Sequence, residues 1–444
     1  MSYIPHTEAE RQQMLSAIGV TTIEDLFDAV PASHRFPKLD LPEPMSEMEV
    51  MAELQALAEA NEHAGDFAVF RGAGAYHHFV PSVVNHMLLR GEFYTAYTPY
   101  QPEMSQGTLQ SIYEYQSMMC ALTGMDAANA SHYDGATSLA EAVTMAVEVA
   151  RHKRKKVILS HAINPQYRAV VRTYHQGGDL KFVGDRGQAD IPDLIDMLDD
   201  NTAMVAISYP NFFGQVEDMR VLAEKVHDAG ALLVVVANPM ALGMFKSPGE
   251  LGADIVVGEG QPLGVPLSYG GPYLGYFATR EKYVRKIAGR IIGETTDING
   301  TRAFVMTLRP REQDIRREKA TSNICTNQGL MALAAGIYMS LMGKHGMRKV
   351  AELNYYKAHY AADEIDKLDG FEVNRDKPFF NEFVVKCPVP VDEVNARLLE
   401  AGIIGGYDLG QDYSHLKEHM LLCVTEMNSR EEIDTLVSVF GEVS

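Results

Sequence analysis

The spacing of apolar residues shifts along the chain, and each shift predicts a different element. Three short polar signals near the start, Thr7 with Glu10, Thr21 with Glu24 and Ser46 with Glu49, each precede a stretch of helical apolar spacing. They predict a helical arm over residues 1–65. From Phe67 to about Tyr115 the chain is rich in Gly, Pro, Tyr and His and loses its periodicity, which predicts irregular chain wrapped over a site. A helix is expected over Thr137–Arg151. The β-rich runs Lys156–Ser160, Ala203–Tyr209, Ala231–Ala237 and Ala253–Val257 then alternate with helical patterns, which predicts a mostly parallel sheet covered by helices.

The apolar stretch Gly329–Met342 is too short to cross a bilayer and is expected as a buried helix, with a second helix over about Met347–Leu368. The segments Phe371–Cys387, Val391–Ala401 and Met420–Phe440 follow as strand, helix, strand, helix. That order predicts a small C-terminal α/β lobe, so that the chain divides into an arm (1–65), a large domain (66–328) and a helix with a small domain (329–444). With 444 residues, two or more lobes are expected on length alone.

Composition adds exclusions. Hydrophobic residues at 46% and charged residues at 22% belong to a globular chain, and the net charge of −20 repels nucleic acid and anionic membranes. Cys120, Cys325, Cys387 and Cys423 lie far apart without CxxC or Cys/His spacing, so neither zinc nor a disulfide framework is expected. The start, MSYIPHTEAERQQM, lacks a basic segment followed by an apolar one, and a cytoplasmic protein with reduced thiols is the expectation. His77, His78, His86 and His132 show no metal-ligand spacing.

The candidate chemistry sits in a few segments. Tyr133-Asp134-Gly135-Ala136-Thr137 falls where a loop becomes a helix, and its small residues suit either an anion on backbone N–H groups or an ordinary capped turn, the commoner outcome. Gly258-Glu-Gly260 and Gly72-Ala-Gly74 do not complete a nucleotide motif. Arg309, Arg311, Arg316, Arg317 and Lys319 form a basic island in an acidic chain, interleaved with Glu312 and Glu318. Solvated ion pairs are the ordinary reading; an arginine clamping a carboxylate or phosphate is the sharper one.

Taken together, GAGAYHHFVP (Gly72–Pro81), YTPYQPEMSQGTLQ (Tyr97–Gln110), YDGAT, YPNFFGQVED (Tyr209–Asp218), GEGQPLGVPLSYGGPYLGYFA (Gly258–Ala278) and REQDIRREKATSNICTNQ (Arg311–Gln328) resemble the P-protein family of the glycine cleavage system. The likeness spans most of the chain and is similar to the separate first half, subunit 1 or alpha, of members that split two related halves. The resemblance implies the fold type I of pyridoxal-phosphate-dependent transferases, α/β with a seven-stranded large domain and a small C-terminal domain, and dimers whose interface holds the active sites. It also implies glycine decarboxylation, with transfer of the aminomethyl group to the lipoyl arm of the H-protein.

The cofactor's lysine is expected after the strand Ala253–Val257, yet no lysine occurs between Lys246 and Lys282, and the position falls in Gly260-Gln261-Pro262-Leu263-Gly264. Asn238 stands where a carboxylate against the pyridine nitrogen is expected. A degenerate pocket built by Tyr133, Gly135, Ala136, Thr137, Asn238 and Gln261 follows, with pyridoxal phosphate expected on a lysine of a beta subunit and two such pairs forming an alpha2-beta2 tetramer. Residues expected to complete the partner's site are Tyr97, Thr98, Tyr100, Arg311, Ser322, Asn323, Cys325 and Thr326; no catalytic residue and no metal are assigned to this chain. Interface packing competes with cofactor or lipoyl lining at the tyrosines, and capping of the Leu330 helix competes at Ser322 and Asn323. Two alternatives stand beside this reading: a cofactor-free scaffold for the beta chain, and an autonomous fold type I enzyme using a lysine from elsewhere.

Overall fold

A computed structural model describes residues 5–184, 190–324 and 327–443. Two of the three polar signals in the arm cap helices as spaced. Thr7 and Glu10 exchange bonds ahead of the helix Glu8–Ile18, and Ser46 and Glu49 do so ahead of Glu47–Glu59. The middle signal is displaced by one residue: Thr22 and Asp25 exchange the bonds, Thr21 adds its N–H and hydroxyl to the same carboxylate, and a short 3₁₀ turn, Glu24–Phe27, results. The shorter aspartate reaches back where Glu24 was expected to. The chain falls into two compact units, Met1–Glu62 and His63–Ser444. Within the first, Leu15 is the buried side chain among the described residues, so its helices rest on their caps and not on a core.

In the second unit the strands, in chain order, are β1 (Ala68–Val69), β2 (Ala127–Ala128), β3 (Lys156–Leu159), β4 (Lys181–Val183), β5 (Thr202–Tyr209), β6 (Leu232–Ala237), β7 (Ile255–Glu259), β8 (Gly275–Thr279), β9 (Ile291–Thr296), β10 (Arg302–Thr307), β11 (Glu372–Val373), β12 (Glu382–Lys386), β13 (Ile403–Ile404), β14 (Tyr407–Asp408) and β15 (His419–Cys423). Seven of them form the large sheet in the order β2-β8-β7-β6-β5-β3-β4. The pairs from β4 through β7 are parallel, and β8 joins β7 and β2 antiparallel. Alternation along β6 explains why its whole length is apolar. Leu232, Val234 and Val236 pack with Leu139, Val143 and Ala146 of the helix Gly135–Val149, while Leu233, Val235 and Ala237 face the opposite core with Met119, Ala334 and Tyr338.

The helix Gln106–Thr123 begins inside the stretch expected to be irregular. Its buried positions include Tyr115, Gln116 and Thr123 beside Leu109 and Met119, and these polar-tipped residues hide the apolar stripe from a pattern count. The two helices expected after Gln328 form one run, Gly329–Ile365, broken at Gly343, whose φ of 56° and ψ of −176° are open to glycine. The small lobe holds the antiparallel sheet β11-β12-β15-β14 with the helices Val391–Glu400 and Arg430–Val443 over a core of Phe371, Phe383, Leu398, Leu422, Leu436 and Phe440. β1 pairs with β13 of that lobe, and Phe70 is buried in its core. Among the described residues no helix is long and apolar enough to cross a membrane.

The two lobes meet at Gly214, where φ is +81° and an added Cβ would lie 1.8 Å from the Glu382 carbonyl oxygen. Phe380 donates its N–H to the Gly214 carbonyl at 3.1 Å beside a bridge between Gln215 and Phe379. Gly214→Ala is therefore expected to lower stability by more than about 2 kcal/mol, because both the left-handed backbone and the backbone contact must give way. Denaturant unfolding checks this; a midpoint equal to wild type would contradict it.

Candidate active site and the arginine–tyrosine cluster

Parallel sheets of this kind collect ligands outside the carboxyl ends of their strands. Here those ends bring Ser208, Asn238 and Glu259 to a cavity of about 60 Å³, walled also by Gly74, Tyr76, Asn164, Tyr167, Phe212 and Glu382. That is well under the roughly 300 Å³ at which small-molecule pockets begin. No lysine or arginine lines it among the described residues.

Glu259 closes the strand β7 and is 7% exposed. One carboxylate oxygen accepts the Gly135 N–H at 3.0 Å, and the other accepts Gln261 N–H at 3.0 Å and Leu274 N–H at 2.8 Å. Gly135 is the first residue of its helix, so the carboxylate lies on the helix's positive end. The Thr137 N–H goes to the Asp134 carboxylate at 2.7 Å in a capping box. Tyr133-Asp134-Gly135-Ala136-Thr137 is thus a turn whose donors at Gly135 and Thr137 are taken by the chain's own acids. Gln261 is fully buried; its oxygen accepts the Tyr76 N–H at 2.9 Å, and its amide donates to the Tyr76 and Val265 carbonyls at 2.9 and 2.7 Å. Asn238 accepts the Met240 N–H at 2.9 Å.

Opposite, Glu382 accepts the Ala73 N–H at 2.7 Å and the Tyr76 hydroxyl at 2.9 Å. Burial pushes Glu259 up to about 8, with the three N–H bonds pulling the other way and the Asp134 charge adding to the rise. It pushes Glu382 up to about 7 against its two donors.

The residues expected to face a partner gather elsewhere, and only some of them fit. Two arginines lie against Tyr100: the Arg290 guanidinium 5.6 Å and the Arg309 guanidinium 5.3 Å from its ring centre. Its hydroxyl accepts from Arg290 at 3.1 Å, and its ring lies 6.4 Å from Tyr97, which is 80% exposed. Thr98 accepts the Tyr100 N–H at 2.8 Å. Arg311 turns inward, donating to the carbonyls of Leu308 at 3.0 Å, Gly289 at 2.9 Å and Ile287. Ser322 donates to Glu141 at 2.7 Å, and the helix Gly329–Ile365 has Gln328 at its cap position, so neither Ser322 nor the exposed Asn323 serves as that cap. Cys325 and Thr326 lie outside the described residues. Of the basic island, Arg309 pairs with Asp314 at 3.3 Å.

Two residues escaped the sequence reading. Glu259 could have been noticed as a lone acid ending an apolar strand; Arg290, in the unremarkable AGRIIG, gave no signal. No group of three or more potential metal ligands occurs among the described residues, and His78 pairs with Glu426 at 2.8 Å.

The sheet order, the small lobe and the site at the strand ends define the class: pyridoxal-phosphate-dependent transferases of fold type I. A structure of sphingosine-1-phosphate lyase from Burkholderia pseudomallei shares the fold at a TM-score of 0.66 and 16% identity, over 93% of this chain and 94% of that one. The family model for the glycine cleavage system P-protein matches residues 1–440, and the chain belongs to that family. A probable glycine dehydrogenase (decarboxylating) subunit 1 from Thermomicrobium roseum is 53% identical over 100% of both chains, and one from Geobacillus thermodenitrificans 52% identical over 99% of this chain and 98% of its own. A crystal structure of a glycine decarboxylase P-protein in inhibitor-bound form matches with a TM-score of 0.91 and 41% identity over 100% of both chains.

Glu382 gives the pH dependence its sign. With its carboxyl raised from 4.5 to about 7, the folded state holds the proton more tightly than the unfolded chain, so stability is fullest below about 4.5 and falls as pH climbs toward 7. The loss is on the order of 3 kcal/mol. Glu259 extends the same slope toward 8. Glu382→Gln, whose amide can accept from Ala73 and donate to Tyr76, should flatten the lower part of the curve. Unfolding midpoints measured across pH check this; an unchanged slope would contradict it.

Proposed function

We propose that this chain is the alpha half of a two-subunit glycine decarboxylase and holds no covalent cofactor of its own. The observation that carries the reading is the turn after β7, where Glu259 and Gln261 are buried and bonded to backbone groups and no amine among the described residues faces the cavity. Pyridoxal phosphate needs an amine for its aldehyde, a seat for its phosphate and a charged partner for its ring nitrogen. Gln261 offers an amide, Glu259 places a carboxylate on the helix end, and Asn238 offers a neutral amide. The residues present do not fit the group.

Pyridoxal phosphate would then sit on a lysine of a separate beta chain, where it supplies the electron sink for decarboxylation. This chain completes that site across a shared interface, with Tyr97, Thr98, Tyr100 and Asn323 as contributors. Arg311 and Ser322 serve by holding the loop, given their inward bonds. The aminomethyl group passes to the lipoyl arm of the H-protein, two alpha–beta pairs form the tetramer, and the assembly works in the cytoplasm.

Mixing the purified chain with its beta partner and assaying glycine–bicarbonate exchange tests this. Exchange should require both chains, and borohydride reduction of the active complex should leave the phosphopyridoxyl group on beta peptides alone. An adduct on a lysine of this chain in the active complex, or full exchange by beta alone, would overturn it.

A further inference from the structure

We propose that Arg290, with Arg309 beside the same Tyr100 ring, forms an oxyanion seat that takes a carboxylate or phosphate. The inference rests on the proposed function in one respect, placing this seat on the face turned to the partner's active site.

Arg290 is 5% exposed, yet no acid lies within ion-pair distance of it among the described residues. Its bonds go to neutral groups: the Asn327 side-chain oxygen at 3.2 Å and the Tyr100 hydroxyl at 3.1 Å. A guanidinium carries five N–H donors, and the Arg290 Nε is buried without a partner. A buried charge held by dipoles alone is costly, and chains keep one where an anion arrives to meet it. Arg309 reinforces the seat from the exposed side, its Nε also without a partner and its salt bridge to Asp314 leaving the stacked guanidinium on Tyr100.

Glu312 has a half-buried carboxyl raised by burial, with Arg290 as the largest opposing influence. It does not reach ion-pair distance. Arg290, Arg309 and Arg311 stand against Glu312 and Asp314, a local excess of positive charge in a chain of net charge −20. The planar forks of Arg290 and Arg309 suit a two-oxygen anion, and Tyr100, 37% exposed, supplies both the floor and a hydroxyl at its edge. Asn327 is fixed in turn by donating to the Ser131 hydroxyl at 2.7 Å, so the seat is pre-set before anything binds.

The test is a titration of the full chain with inorganic phosphate, and separately with acetate, at constant ionic strength with chloride as control. Thermal unfolding and calorimetry follow binding. Wild type should show saturable stabilisation by phosphate or acetate, Arg290→Gln should weaken phosphate affinity by roughly tenfold or more, and Arg290→Lys should fall between. Arg309→Gln, on the exposed side, should also weaken binding and keeps the test valid if the buried variant does not fold. No anion-specific stabilisation of wild type would overturn the proposal, as would affinity unchanged in Arg309→Gln and in whichever Arg290 variants fold. Repeating the titration on the complex separates two sources of the anion: binding that persists assigns the seat to a free oxyanion, and binding lost on assembly assigns it to an acidic side chain of the partner. Neither arm depends on where the cofactor is attached, so failure here is distinguishable from failure of the proposed function.

Discussion

The Glu259 carboxylate ties three separate pieces of backbone together: the start of the helix Gly135–Val149, the turn after β7, and the residue leading into β8. Each bond satisfies an N–H that would otherwise be orphaned in a dry interior, and the helix end adds its own partial charge. The same placement has a chemical consequence. The Glu259 oxygen takes the Gly135 N–H that a phosphate on the helix end would need, so the interaction that organises the strand ends also occupies that donor.

Around that point the pocket has exchanged its charge. Two buried carboxyls, Glu259 and Glu382, line a cavity without a basic residue among those described. Burial raises both above their usual range, against the N–H and hydroxyl donors that pull the other way. The positive charge lies instead around Tyr100, where Arg290 is buried and Arg309 is exposed in part. A fold that ordinarily brings phosphate to its strand ends here presents acids at that position and guanidinium groups around Tyr100.

Much of the architecture was legible because buried parallel strands announce themselves. The runs at Lys156, Ala203, Ala231 and Ala253 each became a strand displaced by no more than two residues at either end, since two covered faces demand continuous apolar sequence. The helix Gln106–Thr123 was not legible, because Tyr115, Gln116 and Thr123 occupy buried positions with polar tips that bond inside the fold. Asn238 and Gln261 could be picked out by the absence of the residue types the chemistry needs. Glu259 left only the faint signal of a lone acid ending an apolar strand, and Arg290 none: each acquires meaning only when distant segments bring N–H groups to one and a tyrosine to the other.

Glu259 holds the Gly135 N–H at the helix end, and the proposal that no phosphate-bearing cofactor sits there rests on that bond. Equilibrium dialysis of the isolated chain against pyridoxal phosphate and against unphosphorylated pyridoxal, for wild type and Glu259→Ala, tests it most directly. Wild type should retain neither, and removing the carboxylate should give measurable retention of the phosphorylated form alone. Equal retention of pyridoxal phosphate by wild type and variant would contradict the account.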